Sequence, residues 1–271
     1  MEKRYLTPAE TVRAIVDNGR RVLTQSRLRT FILSLLAGLY IGCGAQLATV
    51  VTQDASQFAG KGISALLGGS VFSVGLMLVV ICGAELFTGN SLLASAALHG
   101  EITWWKVLDN WAIVIIGNFL GSLLFAILMY EARLWTSGTL AGHSIAIADA
   151  KCSLGFGAAF VRGILCNWLV CLAVFMATAA RDVSGKILAC YVPIMAFVAS
   201  GFEHSIANMY FIPTGLFLAD ATGQSLTNLS WANFMLANLL PVTAGNIVGG
   251  VVFVAGAYWY IHLCAHKTSR I

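Results

Sequence analysis

Gly83-Ala84-Glu85-Leu86-Phe87-Thr88-Gly89-Asn90 and Gly201-Phe202-Glu203-His204-Ser205-Ile206-Ala207-Asn208 share the frame G-x-E-x-x-x-x-N. Each stretch ends a long uncharged run. In each, a carboxylate and an amide stand where polar groups facing lipid would be costly. A helix carrying such a cluster at membrane depth is expected to break there. Non-helical backbone at that depth is tolerated only when buried in protein or lining a cavity. Two matching breaks in one chain point to a pathway through the membrane.

The composition agrees. Of the residues, 58% are hydrophobic and 10% charged, and the mean hydropathy is +0.82, outside the range of soluble domains. Uncharged runs cover 30–53, 62–84, 110–130, 163–180 and 187–202, followed by a long stretch over 221–263. At 1.5 Å per residue the first three are about long enough for a hydrocarbon core of roughly 30 Å. The fourth needs residues 154–161 before it. The fifth spans only by continuing through Glu203 and His204 to Leu218, and the sixth is placed near 234–263. Six spans are therefore predicted in an all-α membrane protein.

Basic residues set the orientation. Lys3, Arg4, Arg13, Arg20, Arg21, Arg27, Arg29, Lys106, Arg181, Lys186, Lys267 and Arg270 fall on one side, and Lys61, Arg133 and Lys151 on the other. Both termini are expected to be cytoplasmic. The formal charge of +4 reflects this bias and implies no nucleic-acid partner. Thr7-Pro8-Ala9-Glu10 has the form of a capping box with proline at the first helical position. Val12, Ile15, Val16, Gly19, Val22 and Leu23 follow at helical spacing. This predicts an amphipathic helix along the cytoplasmic interface or against a neighbouring subunit. The seven cysteines form no C-x-x-C pair. Those inside spans are expected to be small packing residues, and no metal site or cofactor is expected.

The chain reads as a duplication. Asn110, Gly117-Asn118, Gly121 and Phe125 recur 128 residues on as Asn238, Gly245-Asn246, Gly249 and Phe253. The opening frame recurs after 118 residues, Glu85 to Glu203, and a weaker match pairs Gly38 with Gly163, 125 residues on. Spans one to three thus correspond to four to six. Three is odd, so the second copy enters from the opposite side: an inverted 3+3 repeat whose interrupted spans two and five face each other near the midplane. The Gly-Asn-x-x-Gly elements are read as packing surfaces. The expected layout is a surface helix over 1–28, a first repeat over 29–131, an outer connection over 132–153, a second repeat over 154–264 and a tail over 265–271.

His204 is the only histidine deep in a span. An ionisable group there is a functional candidate, and a neutral imidazole can still donate, accept or pass a proton. Glu85, Glu203, Asn90 and Asn208 are read as caps for the broken backbone. Thr88 lies on the first break, where its hydroxyl can meet a solute. Lys151 precedes span four on the outer side, either as an ordinary flanking lysine or as an anion attractor at a mouth. Phe72, Leu76 and Phe197 precede the breaks and serve either as constrictions or as core packing.

G-A-E-L-F-T-G-N at 83–90, G-I-L-C-N-W-L-V-C-L-A at 163–173, A-S-G-F-E-H-S-I-A-N-M at 199–209 and P-V-T-A-G-N-I-V-G-G at 241–250 resemble the formate/nitrite transporter family from about Leu6 to Tyr260. The resemblance implies a homopentamer in a prokaryotic inner membrane. Each protomer would have its own pore and an aquaporin-like six-helix fold. It implies that His204 is the central pore histidine, Thr88 its loop partner, Asn167 the adjacent asparagine and Lys151 a vestibule lysine. An outer constriction of Phe72, Phe87 and Phe197 and an inner one of Leu76, Leu86 and Val170 are implied as well. So is passage of small monovalent anions such as formate, nitrite or hydrosulfide, often with a proton. Glu85 and Gly89-Asn90 differ from the Asp and Ser-Thr of enterobacterial-type formate channels, and the glutamate resembles nitrite- and hydrosulfide-type members, whereas 203–209 is similar to formate channels. The choice of anion stays open at this point.

Two other classes are distinguishable. A membrane redox enzyme holding haem needs two facing mid-span histidines, and the chain offers one. A neutral-solute channel suits paired half-helices, but neither break carries N-P-A.

Overall fold

A computed structural model describes residues 5–136 and 138–264. The basic residues Lys3, Arg4, Lys267 and Arg270 and the tail at 265–271 lie outside the described residues. The described chain is helical. In chain order it runs α1 (Pro8–Val22), α2 (Arg27–Thr52), α3 (Ala55–Phe72), α4 (Val74–Cys82), α5 (Ala94–Leu98), α6 (Trp104–Glu131), α7 (Leu140–Cys152), α8 (Phe156–Ala179), α9 (Val183–Ala199) and α10 (Ser205–Ala221). It closes with α11 (Trp231–Cys264), a rod that alternates α-turns with wide π-turns at Phe234–Leu239, Val251–Gly256 and Tyr260–Cys264.

Among the described residues five helical rods are long and apolar enough to cross a membrane: α2, α3 with α4, α6, α8 and α11. The fifth predicted span is not one helix. It is divided between α9 and α10, of 17 residues each, and at 1.5 Å per residue neither half reaches across the hydrocarbon by itself.

Both breaks begin in the same way. α4 ends at Gly83 with φ +78°, and α9 is followed by Gly201 with φ +72°, left-handed positions that suit glycine. The Ala84 N–H then reaches the Val79 carbonyl at 2.9 Å, and the Phe202 N–H reaches the Phe197 carbonyl at 3.1 Å. This six-to-one closure uses a carbonyl that the helix end leaves over.

Helices α2 and α6 touch along small residues, as do α8 and α11. A Cβ on Gly121 would run into the Leu35 carbonyl, and one on Gly249 into the Ile164 carbonyl. Backbone cannot step aside as a flexible side chain can. Gly121→Ala is therefore expected to cost about 3 kcal/mol, the upper part of the overpacking range, read as a lower thermal midpoint in detergent. A midpoint equal to wild type would show that α2 and α6 are not this close.

The capping box of α1 forms as expected. The Thr7 side chain accepts from the Glu10 N–H, and the Glu10 carboxylate accepts from the Thr7 N–H at 2.8 Å. The structure adds an intramolecular contact to the expected placement of α1. Its apolar stripe of Val12, Ile15 and Val16 packs against this chain's own Leu92, Ala94 and Ala96, the segment just after the first break. Gly19 faces Leu93 and Ala96. The turn over 92–96 is apolar, and the amphipathic face of α1 packs on it.

Candidate functional site

Two asparagines hold the two breaks with the same set of bonds. Asn118 on α6 donates through Nδ2 to the carbonyls of Ser34 (2.7 Å) and Glu85 (2.9 Å), and its Oδ1 accepts from the Phe87 N–H at 2.9 Å. Asn246 on α11 donates to the carbonyls of Gly163 (2.8 Å) and Glu203 (3.0 Å), and its Oδ1 accepts from the Ser205 N–H at 3.0 Å. The Glu85 N–H bonds the Leu33 carbonyl and the Glu203 N–H the Arg162 carbonyl, both at 3.2 Å. Both amides are fully buried. They supply the partners that a broken helix lacks and that lipid cannot provide.

These bonds correct two sequence readings. The Gly-Asn-x-x-Gly elements are not packing surfaces alone, since their asparagines brace the loops. The register of the first and fourth spans is 129, Ser34 with Gly163 and Leu33 with Arg162, rather than the 125 of Gly38 with Gly163. The two registers differ by four residues, about one helical turn, and apolar helices with recurring small residues look alike after such a slide.

The carboxylates do not cap half-helices. Glu85 accepts from Asn90 Nδ2 at 2.7 Å, and Asn90 also donates to Asn110 Oδ1 at 3.0 Å. Glu203 accepts from Asn208 Nδ2 at 2.7 Å, and Asn208 also donates to Asn238 Oδ1 at 2.7 Å. The carboxylates thus tie each break to α6 or α11 through side chains. The cap of α10 comes instead from His204, whose Nδ1 accepts from the Ala207 N–H at 3.1 Å.

Lys151 is not an uncompensated charge at a mouth. Its Nζ sits 3.0 and 3.1 Å from the two oxygens of Glu203 and 5.4 Å above the Phe211 ring. Its side chain is only 16% exposed. Neutralising a buried carboxylate in contact is worth more there than reaching for solvent.

Thr88 and His204 meet at the centre, as the resemblance implied. Thr88 Oγ1 is 2.9 Å from His204 Nε2, and both residues are buried. With Nδ1 accepting a backbone N–H, a neutral ring carries its hydrogen on Nε2 and donates to Thr88. The Thr88 hydroxyl hydrogen is then left for another acceptor. Asn167 Nδ2 braces the same turn, donating to the carbonyls of Thr88 (3.1 Å) and Asn246 (2.7 Å) and to Ser91 Oγ (3.2 Å). Asn167 Oδ1 is buried with no hydrogen-bond partner among the described residues. Cys171, read as packing, also sits with its sulfur 3.4 Å from the Thr88 carbonyl.

The apolar residues divide unevenly. The Phe72 and Phe197 rings meet edge to face at 5.9 Å, and Phe197 stacks on His204 at 5.8 Å. The third ring of this group is Phe211, 6.4 Å from Phe72, which the sequence reading missed because it lies on α10 outside the shared frame. Phe87 lies in the same buried core as Phe72 and Phe197, but its ring contact is with Trp111, at 6.0 Å. Leu76 and Leu86 both line a cavity of about 380 Å³ between α1 and the first break. Val170 is buried in the same core, and the cavity is lined one turn further along α8 by Val174.

Comparisons with known proteins agree on one group. Residues 9–260 match the family model described as formate/nitrite transporter. The chain is 41% identical to a probable formate transporter of Methanothermobacter thermautotrophicus, over 97% of this chain and 99% of that one. It is 38% identical to the formate channel FocA of Escherichia coli K12, with 95% of each covered. Among solved structures, a pentameric formate channel with formate bound superposes with a TM-score of 0.77 at 39% identity, covering 88% of this chain and 98% of that one. An FNT family ion channel superposes with a TM-score of 0.83 at 30% identity, covering 93% and 98%.

Proposed function

The chain belongs to the formate/nitrite transporter family, a family of channels and transporters rather than enzymes. From that premise we propose that it is a channel for small monovalent weak-acid anions, formate first, which cross with a proton at a centre built on His204. The observation that carries this reading is the 2.9 Å contact between Thr88 Oγ1 and His204 Nε2, enclosed between two breaks with matching braces.

The proposed passage follows from charge and burial. An anion entering the apolar group of Phe72, Phe197 and Phe211 loses water, and an unpaired charge there is costly. Losing water also raises the anion's proton affinity. The Thr88 hydroxyl donates to the incoming carboxylate. A proton from the aqueous side enters His204 at Nδ1 in place of the Ala207 N–H bond. The resulting imidazolium gives its Nε2 proton to the anion and returns to neutral imidazole, and Asn167 Oδ1 accepts the O–H of the acid formed. Phe87, Leu76, Leu86 and Val170 contribute apolar wall further along. Lys151 cancels the charge of Glu203, which would otherwise repel an anion from the centre. Glu85, Asn90 and Asn208 keep the breaks in place.

The same reading takes the chain as one channel unit. It has six crossings in an inverted repeat, with α9 and α10 forming the fifth. Both termini are on the cytoplasmic side of a prokaryotic inner membrane, and five copies assemble as in the pentameric relative. Side chains such as Ile116, Leu236 and Val252, each more than half exposed on one protomer, then face lipid or neighbouring subunits.

A hydrosulfide channel of the same family is the second reading, supported by the glutamate at position 85 in the first break. An aquaporin-like neutral-solute pore is the third. Uptake of labelled formate into proteoliposomes, with nitrite and hydrosulfide as competitors and glycerol swelling in parallel, separates them. Saturable formate uptake that hydrosulfide displaces only in large excess is expected. Hydrosulfide displacing formate at far lower concentration favours the second reading, and swelling without formate uptake overturns the anion reading.

A further inference from the structure

Of the three rings in the group beside His204, Phe72 and Phe197 are each 2% exposed. Phe211 is only partly buried, and it is the one set against a charge, with Lys151 Nζ 5.4 Å from its ring centroid. It lies on α10 seven residues beyond the His204 cap, which is two helical turns or about 10 Å along the helix. The ring is held in place from several sides. Phe72 lies nearly parallel to it, at 6.4 Å and 18°. Tyr210 meets it at 5.9 Å and 64° and is itself tied to α2 by a hydrogen bond to Gln46 Oε1 at 2.5 Å. The lysine over the ring is fixed as well. Both Glu203 oxygens accept from it, and its helix α7 is seated tightly on α10, where a Cβ on Gly215 would run into Ala148.

We propose that Phe211 is a specificity-determining residue, the ring that restricts passage to the shortest carboxylates by closing the solvent end of the aromatic group to longer acids. The inference rests on the channel reading above. A solute that approaches His204 along α10 from the Lys151 side meets Phe211 before the two buried rings. A wall of flexible aliphatic side chains would yield to an added carbon by changing rotamer. Phe211 has no such freedom, because its ring is packed on Phe72 and Tyr210 and drawn to the lysine by the attraction of a cation for an aromatic face. A longer acid must therefore displace the ring together with the Lys151–Glu203 pair. Formate carries only a hydrogen on its carboxyl carbon, whereas acetate adds one carbon there and propionate two. Neutralising Glu203 and holding the filter in place are then two roles of one lysine.

The experiment compares uptake of labelled formate, acetate and propionate into proteoliposomes of wild type, Phe211→Ala, Phe211→Leu, Phe211→Tyr and Phe217→Ala. Phe211→Ala is expected to lower the ratio of formate to propionate uptake about tenfold, the lower end of what a pocket gains by rejecting a misfit carbon. Acetate should change less than propionate. Phe211→Leu, a milder truncation, should lower the ratio by less, and Phe211→Tyr, which keeps the ring, should leave it at the wild-type value. Phe217→Ala removes a ring further along α10 that packs on Tyr130 and Trp231, and the ratio is expected to stay as in wild type. Because a ratio is read, a smaller amount of folded channel does not alter the result. A wild-type ratio in both Phe211→Ala and Phe211→Leu, or an equal fall in Phe217→Ala, overturns the filter alone. So does a wild-type protein that takes up propionate as fast as formate. A wild-type protein that passes no formate removes both the filter and the channel reading.

Discussion

A channel carrying His204→Asn is expected to fold, to assemble, and to lose about a hundredfold of its formate flux at acidic pH, the lower end of what a positioned proton-transfer group contributes. The remaining flux should no longer rise as the pH falls. Asparagine is chosen because it replaces what is structural about His204 and omits what is chemical. His204 caps α10 through Nδ1, 3.1 Å from the Ala207 N–H, and asparagine is among the best capping residues. What it cannot do near neutrality is accept and return a proton. His204→Ala would mix the two effects, since losing a cap costs about 1 kcal/mol and leaves the Ala207 N–H unpaired at the break. The comparison is made on proteoliposomes between pH 5 and pH 8, with thermal midpoints recorded in parallel. Wild-type flux with a wild-type pH profile in His204→Asn would eliminate the proton-transfer role and leave the histidine as a cap.

The second large effect is structural. Asn246→Ala removes three hydrogen bonds at once and leaves the Ser205 N–H and the Glu203 carbonyl at the break without their partner, while the Gly163 carbonyl keeps its bond within α8. Each buried unpaired group costs about 1–3 kcal/mol, so a loss of about 4 kcal/mol is expected, or roughly 10 °C in thermal midpoint for a chain of this size. Asn118→Ala should behave alike, because it breaks the corresponding bonds at Phe87, Ser34 and Glu85. Formate flux should fall in both, since Thr88 and His204 ride on the segments that these amides hold. Thermal melts in detergent with size-exclusion profiles check this. A midpoint within about 2 °C of wild type, which corresponds to less than about 1 kcal/mol, would mean that the breaks hold themselves.

The breaks were readable from the chain because polar groups inside apolar runs are conspicuous: Glu85, Asn90, Glu203, His204 and Asn208 stand in otherwise uncharged stretches. The pairing of Asn118 with Asn246 was visible as repetition. Their bracing role was not, since an amide's partners here are backbone groups more than 30 residues away, and backbone carries no residue-specific signal. The pairing of Lys151 with Glu203 spans 52 residues, and nothing local in sequence marks a charge pair made between separate helices. The direction of a ring is equally silent. Phe87 and Phe197 both lie beside a break, yet one turns to Trp111 and the other to His204. The docking of α1 escaped because an amphipathic stripe states only that a face is covered, not by what. Thr88 and His204 stood out as polar groups in apolar runs, their pairing came from the family resemblance, and the 2.9 Å contact with the Nδ1 bond to Ala207 adds the atoms and the tautomer.

The most direct test of the central claim records formate uptake and internal pH together in the same proteoliposomes, with the membrane potential clamped by a potassium gradient and valinomycin. The account predicts that the interior acidifies in step with uptake, at about one proton per formate, whatever the clamped potential. Formate entering without acidification, at a rate set by the potential, would mean that the bare anion crosses the Thr88–His204 centre, contrary to the mechanism proposed here.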